Sequence, residues 1–278
     1  MAAKEGESTK GVTSSSGIFA AEVRTNGSIG TSARKDGYYD TFGSEYRFSW
    51  PQLERAFATG YLEPSNSTIE LLLKKIVNPR AMYARSIESK IPVEAMKIGF
   101  DLEMADWVAP YGAGKTADLN FRVDRNIRND RDYSATLALT FSNNGDGIRA
   151  FQAPLRGGSI LKSPHVAPED GYASATEWRQ TRSPSGTGKS DNFLDDERAD
   201  QNYSFRVRTL LNERGQPKSA LYGKIYGEIR LFVGTKAPKP GIGFTYYLNP
   251  TPNDRNIEFD PKRNLFTNLK PEEQVTAP

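Results

Sequence analysis

The amino-acid sequence predicts a mainly β protein, an antiparallel β-sandwich or jelly-roll-like fold of about nine or ten strands. The main observation is the stretch from Tyr203 to Leu248, where three runs of alternating polarity are separated by turn residues. Shorter alternating runs between residues 98 and 151 are the second observation. Gly, Asn and Pro between the runs are the third. The expected departure from this pattern is a short helical insert near residues 49–90.

The N-terminal residues 1–16 contain mostly Ser, Thr, Gly and charged side chains, and they are predicted to form a flexible tail. A β-rich domain is predicted to extend from residue 17 to residue 248. Near its start, Asn26-Gly27 lies between two strand-like runs, which predicts a hairpin. The aromatic-rich segment Asp36–Trp50 follows.

Capping residues indicate where the helical insert begins and ends. Ser49 is a candidate N-cap, and Gly60 ends the helix about two turns later. A second helix is predicted after the capping box Ser67–Glu70, and Pro79 stops it. Its apolar face has helical spacing, with Ile69, Leu72, Leu73 and Ile76. Residues 80–91 fit either a helix or a strand.

The strands between residues 98 and 151 are predicted from strict alternation. They are Ile98 to Met104, Leu119 to Val123, Leu137 to Phe141 and Ile148 to Phe151. The last two are expected to form a hairpin around Asn143–Gly147. In the later meander, Gly223 and Gly227 are predicted to be bulges or close backbone approaches.

Two segments lack periodicity. Residues 156–202 are polar and rich in turn residues, which predicts a disordered loop, a functional excursion or a domain boundary. Residues 249–278 are Pro-rich and are predicted to form an extended C-terminal tail over the surface.

The composition excludes several functional classes. The chain has no Cys and one His, so thiol nucleophiles, Cys-rich zinc sites and Fe–S clusters are excluded. A Ser-His-Asp triad would require His165. The 37 basic and 34 acidic residues give a net charge of +3, which does not favour a nucleic-acid partner. No apolar run reaches the ~20 residues of a membrane span. No signal peptide is visible, and an extracytoplasmic location is favoured if one was removed.

Three motifs suggest binding chemistry. The run Ala109–Thr116 fits a loose phosphate-binding loop, but the residues after it alternate as a strand where a helix is needed. Asp101 and Glu103 are a carboxylate pair of the kind used in glycoside hydrolysis, although neighbours on one strand face the same way, and a solvated sheet face is the simpler interpretation. No cofactor is predicted. A calcium site is the alternative, with oxygen ligands from Asp124, Asn126, Asn129, Asp130 and Asp132.

Exposed aromatic residues can stack on sugar rings while nearby polar groups bond the hydroxyls. The candidates for this role are Tyr38, Tyr39, Trp107 and Trp178, with Asp101 and Glu103 as polar partners. Tyr38 and Tyr39 lie beside Gly37 and are expected to be the more exposed.

These observations lead to three hypotheses for the function. The leading one is a non-enzymatic structural or binding protein, a component of a bacterial envelope or another assembly, with other protein subunits as partners. A carbohydrate-binding module, whose partner is a glycan, is the second. A carboxylate-based glycan hydrolase is the third.

Overall fold

The structure is a computed structural model that describes residues 8–22, 28–43, 46–47, 50–60, 68–153, 157–185 and 191–278. The chain forms two compact units. One contains Met1–Lys74 and Arg156–Ser159, and the other contains Lys75–Leu155 and Ile160–Pro278. Antiparallel strand pairing dominates the described part of the chain, and the mainly β fold class predicted from the sequence is confirmed.

The smaller unit contains short strands and one helix. The helix α1 (Trp50–Thr59) ends before Gly60, whose φ of 69° is left-handed, as predicted for a helix-ending glycine. One strand pair and one three-stranded sheet accompany it. The pair is β1 (Ser28–Ile29) with β4 (Tyr46–Arg47), and the sheet contains β2 (Ser32–Ala33), β3 (Thr41–Phe42) and β11 (Gly158–Ser159).

The larger unit is built from two six-stranded sheets. The first sheet has the strand order β13-β12-β9-β8-β6-β7 and is antiparallel throughout. Its strands are β6 (Ile98–Asp101), β7 (Asp106–Trp107), β8 (Leu119–Asn129), β9 (Asp132–Thr140), β12 (Ala175–Pro184) and β13 (Asp191–Asp195).

The second sheet has the strand order β10-β14-β15-β16-β5-β17, with one parallel pair, between β17 and β5. Its strands are β5 (Arg80–Lys90), β10 (Gly147–Gln152), β14 (Gln201–Leu211), β15 (Pro217–Phe232), β16 (Gly241–Asn249) and β17 (Phe259–Asn264). A short 3₁₀ turn at Pro271–Glu273 follows.

One hydrophobic core joins the inner faces of these two sheets, which is the defining feature of a sandwich. Phe100 and Phe121 of the first sheet pack against Phe244 of the second, with ring centroids 5.6 Å apart in both pairs. The predicted alternation of Phe205 and Val207 places both in this core, and both are fully buried.

The predicted meander corresponds to β14, β15 and β16. Gly223 is a close backbone approach, as predicted, because an added Cβ would lie 2.2 Å from both the Phe205 ring and the Tyr247 carbonyl oxygen. Gly227 has a φ of 75° and lies at the register shift between Tyr226 and Arg230, which confirms the predicted bulge.

The C-terminal segment forms a second, smaller core on the opposite face of the second sheet. Phe259 and Val275 pack there with Met82, Ala84 and Tyr247. Because this segment covers that face, β16 is buried on both sides along most of its length. The Pro-rich segment is therefore a packed layer of the larger unit.

The predicted helix at residues 69–76 is wrong. Residues 68–79 contain no helix, and Arg80–Lys90 is a strand. The carbonyl groups of this segment bond other parts of the smaller unit. The Thr41 hydroxyl donates to the Leu72 carbonyl oxygen at 3.1 Å, and the Tyr39 N–H donates to the Lys74 carbonyl oxygen at 2.9 Å. These bonds replace the i to i+4 ladder that a helix requires.

Two further expectations are corrected. The strands on either side of Asn143–Gly147 do not pair as a hairpin, because β9 belongs to the first sheet and β10 to the second. The Asp146 carboxylate explains this crossing, since it accepts the N–H groups of Arg208 and Thr209 on β14. Of the three alternatives for the polar stretch 156–202, the disordered loop does not fit its described residues, which contribute β11, β12, β13 and the start of β14. The predicted hairpin turn at Asn26-Gly27 lies outside the described residues.

Candidate functional site

The six residues singled out for binding are divided between the two units. Tyr38 and Tyr39 belong to the smaller unit, whereas Asp101, Glu103, Trp107 and Trp178 belong to the larger one. Tyr39 was expected to be exposed but is only 8% exposed, whereas Tyr38 is partly exposed. The Lys35 ammonium lies over the Tyr38 ring, 4.8 Å from its centroid.

Both tryptophans are core residues and not a sugar-stacking surface. Trp107 is 5% exposed, and its ring lies edge-on to Phe100 with centroids 5.3 Å apart. Trp178 is 6% exposed, and its indole N–H donates to the Glu228 carboxylate at 2.8 Å. Each indole buries a large apolar ring and satisfies one N–H, which is the usual arrangement for a buried Trp. Neither ring face is open to a ligand.

Glu228 is the centre of a buried polar cluster at Trp178. Its carboxylate also accepts the Tyr203 hydroxyl and the Arg198 N–H. Burial, reinforced by the hydrogen bond to Glu228, raises the pKa of the Tyr203 phenol far above its ordinary value. The cluster joins β12, β14 and β15 across the sandwich.

Asp101 is not on a solvated sheet face, which corrects the simpler interpretation. It is 2% exposed and ends β6, because its carboxylate accepts the N–H groups of Glu103 and Met104 and turns the chain. It also accepts the N–H groups of Lys115 and Thr116, both at 2.9 Å. Burial alone would raise the pKa of Asp101, but these four backbone donors together hold it below its ordinary value.

The phosphate-loop resemblance of Ala109–Thr116 is explained by the same contacts. The N–H groups that a phosphate would need have partners within the protein. Asp106 accepts the Ala113 N–H at 2.7 Å, Asp101 accepts those of Lys115 and Thr116, and the Gly114 N–H donates to the Trp107 carbonyl oxygen. The strand β8 follows the loop, where a nucleotide site needs a helix N-terminus. Asp101 and Asp106, which precede the loop in the chain, therefore hold its backbone in place.

Arg208 connects these carboxylates to the second sheet. Its guanidinium donates to both oxygens of Asp118, at 2.8 and 2.9 Å, and lies 2.9 Å from Glu103. Burial raises the pKa of Asp118 although Arg208 opposes the rise. The hydrogen bond to Asp118 raises the pKa of Arg208 in turn. Every carboxylate oxygen of Asp118 and Asp101 accepts at least one hydrogen bond from the protein, and both side chains are buried.

The candidate calcium ligands lie on the central strands β8 and β9 of the first sheet and in the turn between them. Asp124 pairs with Arg122, which holds the pKa of Asp124 below its ordinary value, and Asp132 pairs with Arg128. The Asn129 side chain accepts the Arg131 N–H. Across the described residues, no group of three or more Asp, Glu or His side chains is arranged to hold a metal ion.

His165 contacts backbone and no nucleophile. Its Nε2 lies 2.7 Å from the Lys75 carbonyl oxygen, which can only accept, so Nε2 carries the proton. Ser163, two residues before His165, forms a serine–lysine pair with Lys224 of β15, and no motif in the sequence marks this pair. The Lys224 ammonium donates to the Ser163 hydroxyl at 3.0 Å and lies 4.6 Å from the centroid of the Tyr247 ring. Ser163 and Lys224 are both 2% exposed, so a dissolved substrate has no access to the hydroxyl.

One concave feature of the larger unit is a shallow, open cleft of about 750 Å³, which we call the end cleft. It lies where the inner face of β12 and β9 diverges from the end of β15. One wall carries Tyr133, Gln180 and Arg182, and the other carries Leu231, Phe232 and the loop Val233–Ala237. No motif in the sequence marks it, because its residues come from three separate parts of the chain.

The fold is that of an antiparallel β-sandwich, and its buried carboxylates accept hydrogen bonds from other groups of the protein. Comparisons with protein-family models, with curated proteins and with solved structures found no match. Within the described ranges, no helix is both long and apolar enough to cross a membrane.

Proposed function

We propose that this chain is a non-enzymatic structural or binding protein that associates with copies of itself in an envelope-type or other assembly. The observation that carries the proposal is the exposed aromatic side of α1. Trp50 is 67% exposed and Phe57 is 82% exposed. The two residues are seven apart and therefore lie on the same side of the helix.

An isolated helix of this length is marginally stable in water, and most helical stability in proteins comes from packing an apolar side. A partner that covers Trp50 and Phe57 would provide that packing. The helix carries one acidic residue, Glu54, and one basic residue, Arg55, so it lacks the positive charge of helices that bind anionic membranes. A protein partner fits this charge balance better than a lipid surface.

Exposed apolar side chains also lie on both faces of an edge strand in the larger unit, and they favour a copy of the same chain as the partner. The edge strand β13 leaves Phe193 58% exposed and Leu194 54% exposed. A chain with two different apolar patches has both halves of a head-to-tail contact. Residues 8–22, all exposed and carrying Ile18 and Phe19, could order on the same neighbour.

The test is the molar mass in solution, measured by size-exclusion chromatography with light scattering over a range of concentrations. The wild-type chain is expected to exceed the monomer mass of 30.9 kDa. Phe57→Ser is expected to shift it toward the monomer, because it removes the most exposed aromatic side chain of α1. A matched control is Leu210→Ser, which changes a side chain that is 62% exposed on β14. A strictly monomeric wild type, or equal effects of both substitutions, would contradict the proposal.

The glycan-hydrolase hypothesis receives less support from the site. Asp101 and Glu103 were its proposed pair, and Asp101 is buried with its oxygens bound to backbone N–H groups. Such a carboxylate has no free oxygen for a glycosidic bond. Carbohydrate binding is the second candidate function, and the observation that favours it is the end cleft.

A further inference from the structure

The geometry points to the end cleft as a binding site for an uncharged oligosaccharide, with Tyr133 as the stacking surface. This inference does not rest on α1, but it shares Phe193 of β13 with the association surface proposed above. None of the six residues predicted from the sequence to bind a sugar lines the end cleft.

The first argument is the chemistry of the β12 and β9 wall. Tyr133 and Arg182 are directly paired across the two strands, so their side chains project from the same face of the sheet. Gln180 lies two residues from Arg182 on that face. An aromatic ring beside a guanidinium and an amide provides a stacking surface with hydrogen-bonding groups at its edge. Sugar rings need this combination, because they present apolar C–H faces and hydroxyl edges.

The second argument is that the opposite wall is fixed before any ligand arrives. The Arg125 guanidinium, on β8, donates to the carbonyl oxygens of Val233 at 2.8 Å, Gly234 at 3.0 Å and Pro238 at 2.8 Å. It is itself held by two 2.7 Å bonds to the Glu94 carboxylate. The loop is therefore tied to the first sheet through its backbone. A pre-formed wall reduces the ordering cost of binding.

The third argument concerns charge, and it selects an uncharged ligand. The Arg182 guanidinium lies 2.7 Å from the Asp191 carboxylate. On the other wall, the Lys236 ammonium lies 3.2 Å from the Asp130 carboxylate. Each cation that lines the end cleft thus faces a carboxylate, and an anionic ligand would have to compete with it. Hydroxyl groups can bond to both members of such pairs without displacing either.

The volume of about 750 Å³ is within the range of small-molecule sites, which is roughly 300–1,000 Å³. The cleft is open and shallow, so it suits a chain that enters and leaves along its length. Phe193 extends the same face, because it is paired with Arg182 across β13 and β12, and it is 58% exposed. An oligosaccharide is therefore favoured over a single sugar.

The test is isothermal titration calorimetry of the full chain with five neutral hexasaccharides, namely the malto-, cello-, xylo-, manno- and chito-oligomers. At least one is expected to bind the wild type. Tyr133→Ala is expected to weaken that binding about tenfold or more, as for a central aromatic anchor. Tyr133→Phe keeps the ring and is expected to lose about two- to tenfold, the effect of one hydrogen bond. Thermal unfolding of each variant verifies that the fold is intact.

Tyr38→Ala is the matched control, since it removes a partly exposed tyrosine from the smaller unit and is expected to leave the affinity unchanged. Polygalacturonate, an acidic polymer, tests the charge argument and is expected not to compete. The inference is overturned if no hexasaccharide binds, if Tyr133→Ala and Tyr38→Ala have the same effect, or if polygalacturonate binds better than every neutral oligomer.

Discussion

The carboxylate of Asp101 is bound mainly by peptide N–H groups, which makes its ionised form a support for the loop Ala109–Thr116. Its four backbone donors come from two segments, residues 103–104 and residues 115–116. Protonation would weaken all four bonds, because a neutral carboxyl is a poorer acceptor than a carboxylate. The stability of this corner should therefore depend on pH.

The sign follows from the lowered pKa of Asp101. A carboxyl whose pKa is lower in the folded than in the unfolded chain stabilises the fold above about pH 4. That contribution is lost as the pH falls through the folded-state pKa. We therefore expect the free energy of unfolding to drop between pH 5 and pH 3 by less in Asp101→Asn than in the wild type. Urea denaturation at the two pH values measures the difference.

The control for this prediction is Asp170→Asn, whose side chain is 95% exposed in its pair with Arg149. Its pH dependence is expected to match the wild type. A drop that is the same in Asp101→Asn and in the wild type would contradict the role assigned to the Asp101 carboxylate.

Individual residues were the hardest feature to predict from the sequence. Trp107 and Trp178 carry no local sign of burial, because a Trp in a short alternating run fits the core and the surface equally well. Asp101 follows the alternation of a solvated strand up to the position where its own carboxylate ends that strand. The proximity of Tyr133 and Arg182 could not be predicted from the sequence, because it depends on the order of the strands in the sheet.

Strands were predicted well where one face is buried and the other is not. The alternation of β9 follows that rule. Alternating polarity in the sequence also identified β8 and β14, although the first three residues of β8 and the first five of β14 are all buried. β12 was missed because most of its side chains are polar on both faces, with Trp178 its only buried residue. The helix predicted at residues 69–76 had the correct spacing, but hydrogen bonds to other segments overrode it.

β17 provides a prediction at the scale of the element. Phe259 is fully buried against Tyr247, with ring centroids 5.3 Å apart. Phe259→Ala would leave a cavity in the smaller core, and we expect a loss of about 3–5 kcal/mol in the free energy of unfolding. Lys262→Ala changes an exposed residue of the same strand and should have little effect. Chemical denaturation compares them. Equal stability of the two variants would mean that the C-terminal segment is not a packed layer.

The whole molecule divides into two units, and each contains its own strand pairing. The sandwich core is drawn entirely from the larger unit. A chain that begins at Lys75 is therefore expected to unfold cooperatively, with a Tm within about 4 °C of the wild type, the shift that roughly 1 kcal/mol would cause. Because α1 is removed, the same chain should also be monomeric. Circular dichroism and light scattering measure the two properties.

Loss of cooperative unfolding in this truncated chain would contradict the independence of the larger unit. Retention of the wild-type oligomer would instead contradict the role proposed for α1. The two outcomes are separate, so one preparation tests both the division into units and the route of association.

Arg125 holds the loop beside the end cleft by donating to its main-chain carbonyl oxygens, and these bonds do not involve the loop side chains. Substitution of Thr235 or Lys236 should therefore leave the backbone path of the loop unchanged. Libraries randomised at those two positions would present many different surfaces on one unchanging scaffold. The sandwich could in this way be given new recognition properties without being redesigned.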